Sequence, residues 1–198
     1  VQNTAIKLTN DEWEVLNDTS FFVHKRAVFS KFDLLFHRFG EIMQKGLKSN
    51  VLPVDKYIAN KRGRLSRGEN YLGLPYMVFD YPRIGGNDEL FTFRSMLWWG
   101  KYFSFNLVIA GKMLEEMLPC IEYKKSYREI LINRGENLWN HDLQSADYVR
   151  LDEKVLGEVL ERKKFLRLGY ALPLERWTEF EAEGMGVYGE MLGLFREP

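Results

Sequence analysis

The chain has 198 residues, 45% of them hydrophobic and 28% charged, a balance that excludes a disordered polypeptide and supplies one sizeable core. Its 28 basic and 28 acidic side chains cancel, so no whole-molecule field draws it to nucleic acid or an anionic bilayer. A lone cysteine, Cys120, excludes an internal disulfide framework, no run approaches the ~18 apolar residues of a membrane span, and the N-terminal VQNTAIKLTNDEWE lacks a leader pattern; the expectation is a single-domain, cytoplasmic protein.

Thr9 and Glu12 stand three apart in a capping-box pattern, opening a short helix to about Leu16. A second helix is predicted from Thr19 or Ser20 to Leu47, because Phe29, Phe32, Phe36, Phe39 and Met43 recur at spacings of three and four. From Val51 to Gly68 the pattern breaks into a loop carrying Lys56, Lys61, Arg62, Arg64 and Arg67.

Tyr71 to Tyr81 reads as a strand, with Pro75 pointing to an edge position or a bulge. Asp80 to Asp88 is turn chemistry, with Gly85 and Gly86 suited to positive φ. Two further strands follow, Leu90 to Met96 and Tyr102 to Ala110. In the second, Phe103, Phe105, Leu107 and Ile109 alternate with Ser104, Asn106, Val108 and Ala110.

Lys112 to Leu118 makes a short helix that Pro119 stops. Ile130 to Ile132 and Tyr148 to Leu151 are short strand candidates flanking a mostly looped Asn133 to Ala146. Asp152 caps a helix to about Arg162, Phe165 to Leu172 alternates as a last strand, and Leu174 to Phe195 has helical spacing. Gly186, Gly189 and Gly193 line one side of that final helix: either another backbone approaches there, or the helix is broken. The order of elements predicts an α+β domain, a mainly antiparallel sheet of about five strands packed by N-terminal and C-terminal helices.

The block RGENYLGLPYMVFDYPR, followed by FTFRSMLWWGKYFSFNLVIAGK, resembles a family of uncharacterised hypothetical proteins from Bacteroidetes, through its Gly-Glu-Asn-Tyr, Leu-Pro-Tyr, Asp-Tyr-Pro and Trp-Trp-Gly motifs. The resemblance covers about Arg67 to Lys112 and implies no activity. A fainter similarity, in element order alone, is to YktB-like proteins of unknown function.

RGEN occurs at Arg67 to Asn70 and again at Arg134 to Asn137. The flanks diverge and the first copy leads into a strand while the second sits in a loop, so the repetition is read as coincidence, with each Asn serving local turn chemistry. GRLSRG lacks the Lys and Ser/Thr of a phosphate loop, there is no GxSxG, HExxH or CxxC, and His24, His37 and His141 are scattered. No cofactor or metal is expected.

The richest constellation is Arg67, Glu69, Tyr71, Asp80, Arg83, Arg94, Ser104 and Asn106, with Trp98 and Trp99 nearby. Arg94 falls opposite Phe91 and Phe93, so it shares a face with Ser104 and Asn106 if the strands pair antiparallel. Charged groups among apolar strands must be paired, or must meet a polar ligand. Arg–Glu and Arg–Asp bridges are the favoured reading of the cluster.

Three functions remain open. One is a binding module for a small anionic or nucleotide-like ligand, with Arg64, Arg67, Arg83 and Arg94 as donors and Trp98 or Trp99 stacking. Another is a protein-interaction or homo-oligomerising domain using the glycine-lined helix or a sheet edge. The third is an acid–base enzyme using Glu69, Asp80 or His141. Nucleic-acid and membrane partners are not expected, since the basic loop holds one aromatic, Tyr57, and the apolar helix faces are needed for a core.

Overall fold

A computed structural model describes residues 6–46, 63–86, 89–162 and 164–195. The basic residues Lys56, Lys61 and Arg62 and the expected helix end at Leu47 lie outside them. Contacts divide the chain into two units, Val1–Arg38 and Phe39–Pro198.

In the first unit, α1 (Asn10–Asn17) opens on the expected capping box: Thr9 Oγ1 accepts from the Glu12 amide and the Glu12 carboxylate accepts from the Thr9 amide. Those bonds, the Thr9 backbone one foremost, hold the Glu12 carboxyl below its ordinary pKa. Helix α2 (Thr19–Gly46) follows, its first turn tied by Asp18 Oδ1 accepting from the Phe21 amide at 2.9 Å.

The second unit is built on an antiparallel sheet of seven strands, not about five: β1 (Arg64–Tyr71), β2 (Leu74–Gly85), β3 (Leu90–Trp98), β4 (Tyr102–Ala110), β5 (Leu131–Asn133), β6 (Tyr148–Arg150) and β7 (Phe165–Pro173), in the order β1-β2-β3-β4-β7-β5-β6. The main addition is β1, where a loop was expected through Gly68, and the short candidates at Ile130 to Ile132 and Tyr148 to Leu151 are both strands, β5 and β6. The polar RLSRGENY forms a strand because its ladder to β2 supplies the backbone hydrogen bonds, which a side-chain pattern does not reveal.

A two-residue turn at Leu72 and Gly73, both at positive φ, joins β1 to β2 and explains why the strand expected at Tyr71 restarts at Leu74. Asp80 to Gly85, expected as a turn, continues β2 past a register shift between Asp80 and Arg83. Pro75 is not at an edge, since β2 lies between β1 and β3; it faces the β1 irregularity between Gly68 and Tyr71, where no ladder bond is required of it.

Helices α3 (Lys112–Met117) and α4 (Glu153–Glu161) fall as expected, the latter capped by Asp152 Oδ1 accepting from the Val155 amide at 2.8 Å. The C-terminal segment is a 3-10 turn (Leu174–Glu179) and then α5 (Phe180–Leu192).

Each strand presents alternate residues to opposite faces. One face is aromatic: Phe93 and Phe105 pack on Tyr188, and Phe103 and Phe105 on Phe180, while Phe39 joins them edge-on at 5.2 to 6.0 Å. Gly184 of α5 serves this packing, Gly186 lies against Arg128, and a Cβ on Gly189 would meet nothing within 4 Å. A Cβ on Gly184 would meet Phe105 and Phe39 at 2.6 Å, and one on Gly186 would meet Arg128 at 2.5 Å. The close approach expected at this helix is therefore made, at those two positions, by side chains of the same chain.

Candidate functional site

The opposite face of the sheet carries a polar cluster set among apolar neighbours. Register places Arg94 of β3 between Asp80 of β2 and Asn106 of β4, and Arg167 of β7 beside Val108 of β4. All four are buried. Arg94 grips Asp80 with both arms of its fork, Nε to Oδ1 at 2.7 Å and Nη2 to Oδ2 at 2.8 Å, and Arg83 reaches the same carboxylate at 3.3 Å. Asn106 donates through Nδ2 to the Arg94 carbonyl and to Ser104 Oγ, and accepts from Arg167 Nη2 at 3.1 Å through Oδ1.

Residues 134–147 roof this face without regular structure, and their own side chains shape them. Asn133, Asn137, Asn140 and Asp142 each accept, through a side-chain oxygen, the amide two residues further on. Asn137 closes the second RGEN, and Asn70, closing the first, likewise accepts from the Gly73 amide at 3.0 Å. The two copies share turn chemistry and nothing else.

The roof is pinned from below. Tyr71 Oη accepts from the His141 amide at 2.7 Å, Tyr102 Oη from the Leu143 amide at 2.8 Å, and Tyr148 Oη donates to the Asn140 carbonyl at 2.7 Å. Burial raises the pKa of Tyr102 and Tyr148, keeping both as neutral phenols. Trp139 lies over the Arg94 guanidinium, 4.9 Å from carbon to ring centre.

His141 stands between two guanidinium groups, its Nδ1 2.7 Å from Arg167 Nη2 and its Nε2 3.5 Å from Arg94 Nη1. A guanidinium has no lone pair to offer and a neutral imidazole can accept through one nitrogen only, so the shorter contact assigns Nδ1 as the acceptor and the ring proton to Nε2. Burial first, then Arg167 and Arg94, drive its pKa well below the ordinary 6.5, so the ring is neutral. Its Nε2–H thus faces another donor, with no acceptor between them among the described residues.

Arg167 is wholly buried and, among the described residues, has no carboxylate partner. Its Nη1 donates to the Leu138 carbonyl at 2.7 Å, its Nη2 is shared by Asn106 and His141, and its Nε finds no acceptor. Burial lowers its pKa, the cost of holding a cation out of water. Two buried arginines therefore answer to one buried carboxylate, and the surplus is positive.

Of the residues nominated from sequence, Asp80, Arg94, Ser104 and Asn106 meet on this face, Tyr71 and Trp98 edge it with rings 5.1 Å apart, and Arg83 reaches in from beyond the register shift. Others do not join them. Arg67 pairs in register with Met77, on the opposite face from Asp80, while Glu69 is exposed at the β1 irregularity and Trp99 follows the end of β3. Trp98 is core, donating through Nε1 to the Tyr71 carbonyl at 3.2 Å. Asp80 and His141 are linked through Arg94.

Arg167 was missed, although FLRLGYALP carries a signal: it is a charged residue in an alternating apolar strand, like Arg94. Trp139 and Leu138 had no such signal, being loop residues far along the chain from their partners.

A surface cleft of about 210 Å³ opens elsewhere, lined by Tyr123, Lys125, Ser126, Arg128, Arg150 and Asp152 among others; Arg128 there is held by Glu183 and Glu190. Among the described residues no group of three metal-ligating side chains converges, and no helix is long and apolar enough to cross a membrane. The chain matches no protein-family model, no curated protein and no solved structure.

Proposed function

We propose that the chain binds a small anionic ligand, a carboxylate or phosphate, at the polar face of the sheet beneath Trp139 and His141. Arg167 carries the reading: a cation withdrawn from water, with no carboxylate partner and an unmet Nε–H among the described residues, is costly unless something else supplies the negative charge. The Arg94 Nη1 and His141 Nε2–H pair adds further donors lacking an acceptor. His141 and Trp139 are both partly exposed, so the roof is the route of approach.

This differs in its donors from the expectation drawn from sequence. Arg83 and Arg94 are paired to Asp80 and act as framework, with Arg167 as the principal anion donor. The ligand brings about one negative charge into the buried cluster, matching its one surplus positive charge.

Thermal-shift and calorimetric titration with inorganic phosphate, acetate, sugar phosphates and nucleotides tests the proposal. A ligand held at ~100 times its dissociation constant stabilises by about 2.7 kcal/mol, and Arg167→Met should abolish that shift while retaining the fold. Absence of stabilisation by every member of the panel, or undiminished binding to Arg167→Met, would sink it.

A further inference from the structure

Large apolar side chains left in solvent are concentrated in one part of this chain. Among the described residues, all of them except Leu72, Tyr127 and Trp177 belong to the unit that ends at Arg38. Helix α1 buries none of its residues, and its Trp13 and Leu16, one turn apart, are each 58% exposed. Along α2, Phe22, Phe29, Phe36 and Met43 form a row at every seventh position. Their exposure is 47%, 8%, 0% and 0%. The row is unbroken in sequence, yet its first member stands open, with Phe21 against it at 5.3 Å between ring centres. Scattered exposed rings are ordinary, whereas so many large apolar side chains exposed within one short stretch mark a contact surface.

Charge says what the contact is with. From Thr9 to Asp18 the chain carries Asp11, Glu12, Glu14 and Asp18 and no basic residue. From Thr19 to Arg38 it carries Lys25, Arg26, Lys31 and Arg38, with Asp33 the sole acid. One short stretch thus holds an acidic half and a basic half around exposed rings. Two copies related by a two-fold axis match both halves at once, the acidic stretch of each set along the basic stretch of the other, with Asp11 and Glu14 of one copy toward Arg26 and Lys31 of the other. A partner of one charge would match only half, and an anionic bilayer would meet the carboxylates beside Trp13 and Leu16.

We propose that the chain forms a homodimer through residues 8–34, with Trp13, Leu16, Phe21 and Phe22 of each copy covered by the other. This contact is separate from the anion site and from the glycine-lined α5.

Light scattering and sedimentation of the full chain test it. The expected species has twice the 23.4 kDa chain mass, and Phe22→Glu or Trp13→Glu should return it to one chain mass with unchanged circular dichroism. Glu14→Arg and Arg26→Glu, both at exposed positions, should each weaken the dimer and together restore it, a result that simple loss of folding cannot mimic. Leu72→Glu, remote in sequence and equally exposed, should leave the mass alone. A wild-type monomer at every accessible concentration overturns the proposal, as does a dimer indifferent to Phe22→Glu or a charge exchange without rescue.

Discussion

Asp80 is the only carboxylate among the described residues that Arg94 touches, and Arg94 takes both of its oxygens, at 2.7 and 2.8 Å, with the two side chains 2% and 8% exposed. The second and third strands of the sheet, β2 and β3, are thereby joined by charge as well as by the ladder.

Asp80→Asn leaves Arg94 buried without a counter-charge. The expected loss is about 3–5 kcal/mol, the magnitude seen when one partner of a buried pair is removed. Urea denaturation measures it, and Asp80→Asn combined with Arg94→Met should recover much of the loss; failure to recover would show that the pair is not the source of the effect.

Arg167→Met should behave in the opposite sense. It forfeits hydrogen bonds to the Leu138 carbonyl, Asn106 and His141, worth about 1 kcal/mol each, but removes a cation whose desolvation costs several kcal/mol. The unliganded variant is expected to be as stable as wild type or more so in the same denaturation experiment. A loss comparable to that of Asp80→Asn would mean that the cation is already compensated.

His141 makes stability depend on acidity. Its folded pKa is depressed below the ordinary 6.5 by burial and the two guanidinium groups, so below about pH 6.5 the unfolded chain takes up a proton that the folded protein refuses. Its contribution is full above that value and falls as pH drops, by at most ~1.4 kcal/mol per pH unit. His141→Gln should remove this slope from stability measured at a series of pH values; an identical slope in the variant would refute it.

Glycine replacements should separate packing from propensity. Gly184→Ala sets a methyl 2.6 Å from Phe39 and Phe105, an overpacking expected to cost about 1–3 kcal/mol. Gly157→Ala, inside α4 with nothing within 4 Å of the new atom, should stabilise by up to about 1 kcal/mol. Melting temperatures of the two variants should move in opposite directions.

Much of the architecture was legible along the chain because its signals are local. Thr9 and Glu12 mark a helix start through bonds made within one turn, Asp152 does the same for α4, and the alternation in Tyr102 to Ala110 follows from the two-residue strand period. The same period put Ser104 and Asn106 on one face of their strand, and the antiparallel pairing of β3 with β4 brings Arg94 to that face. The strand Arg64–Tyr71 was not legible, since it owes its form to a neighbour's backbone.

By itself, then, the sequence determined which residues form helices and which face of a strand a side chain takes, because those choices depend on bonds and sterics spanning only a few residues. Tertiary structure alone decided that Arg167 enters beside Arg94, that Asp80 serves two arginines, and that His141 hangs between two cations. These depend on strand order and on where a loop crosses the sheet. Hydrogen bonds joining Tyr71 to His141 and Asn106 to Arg167 span 70 and 61 residues, and no local preference encodes a partner at such separation.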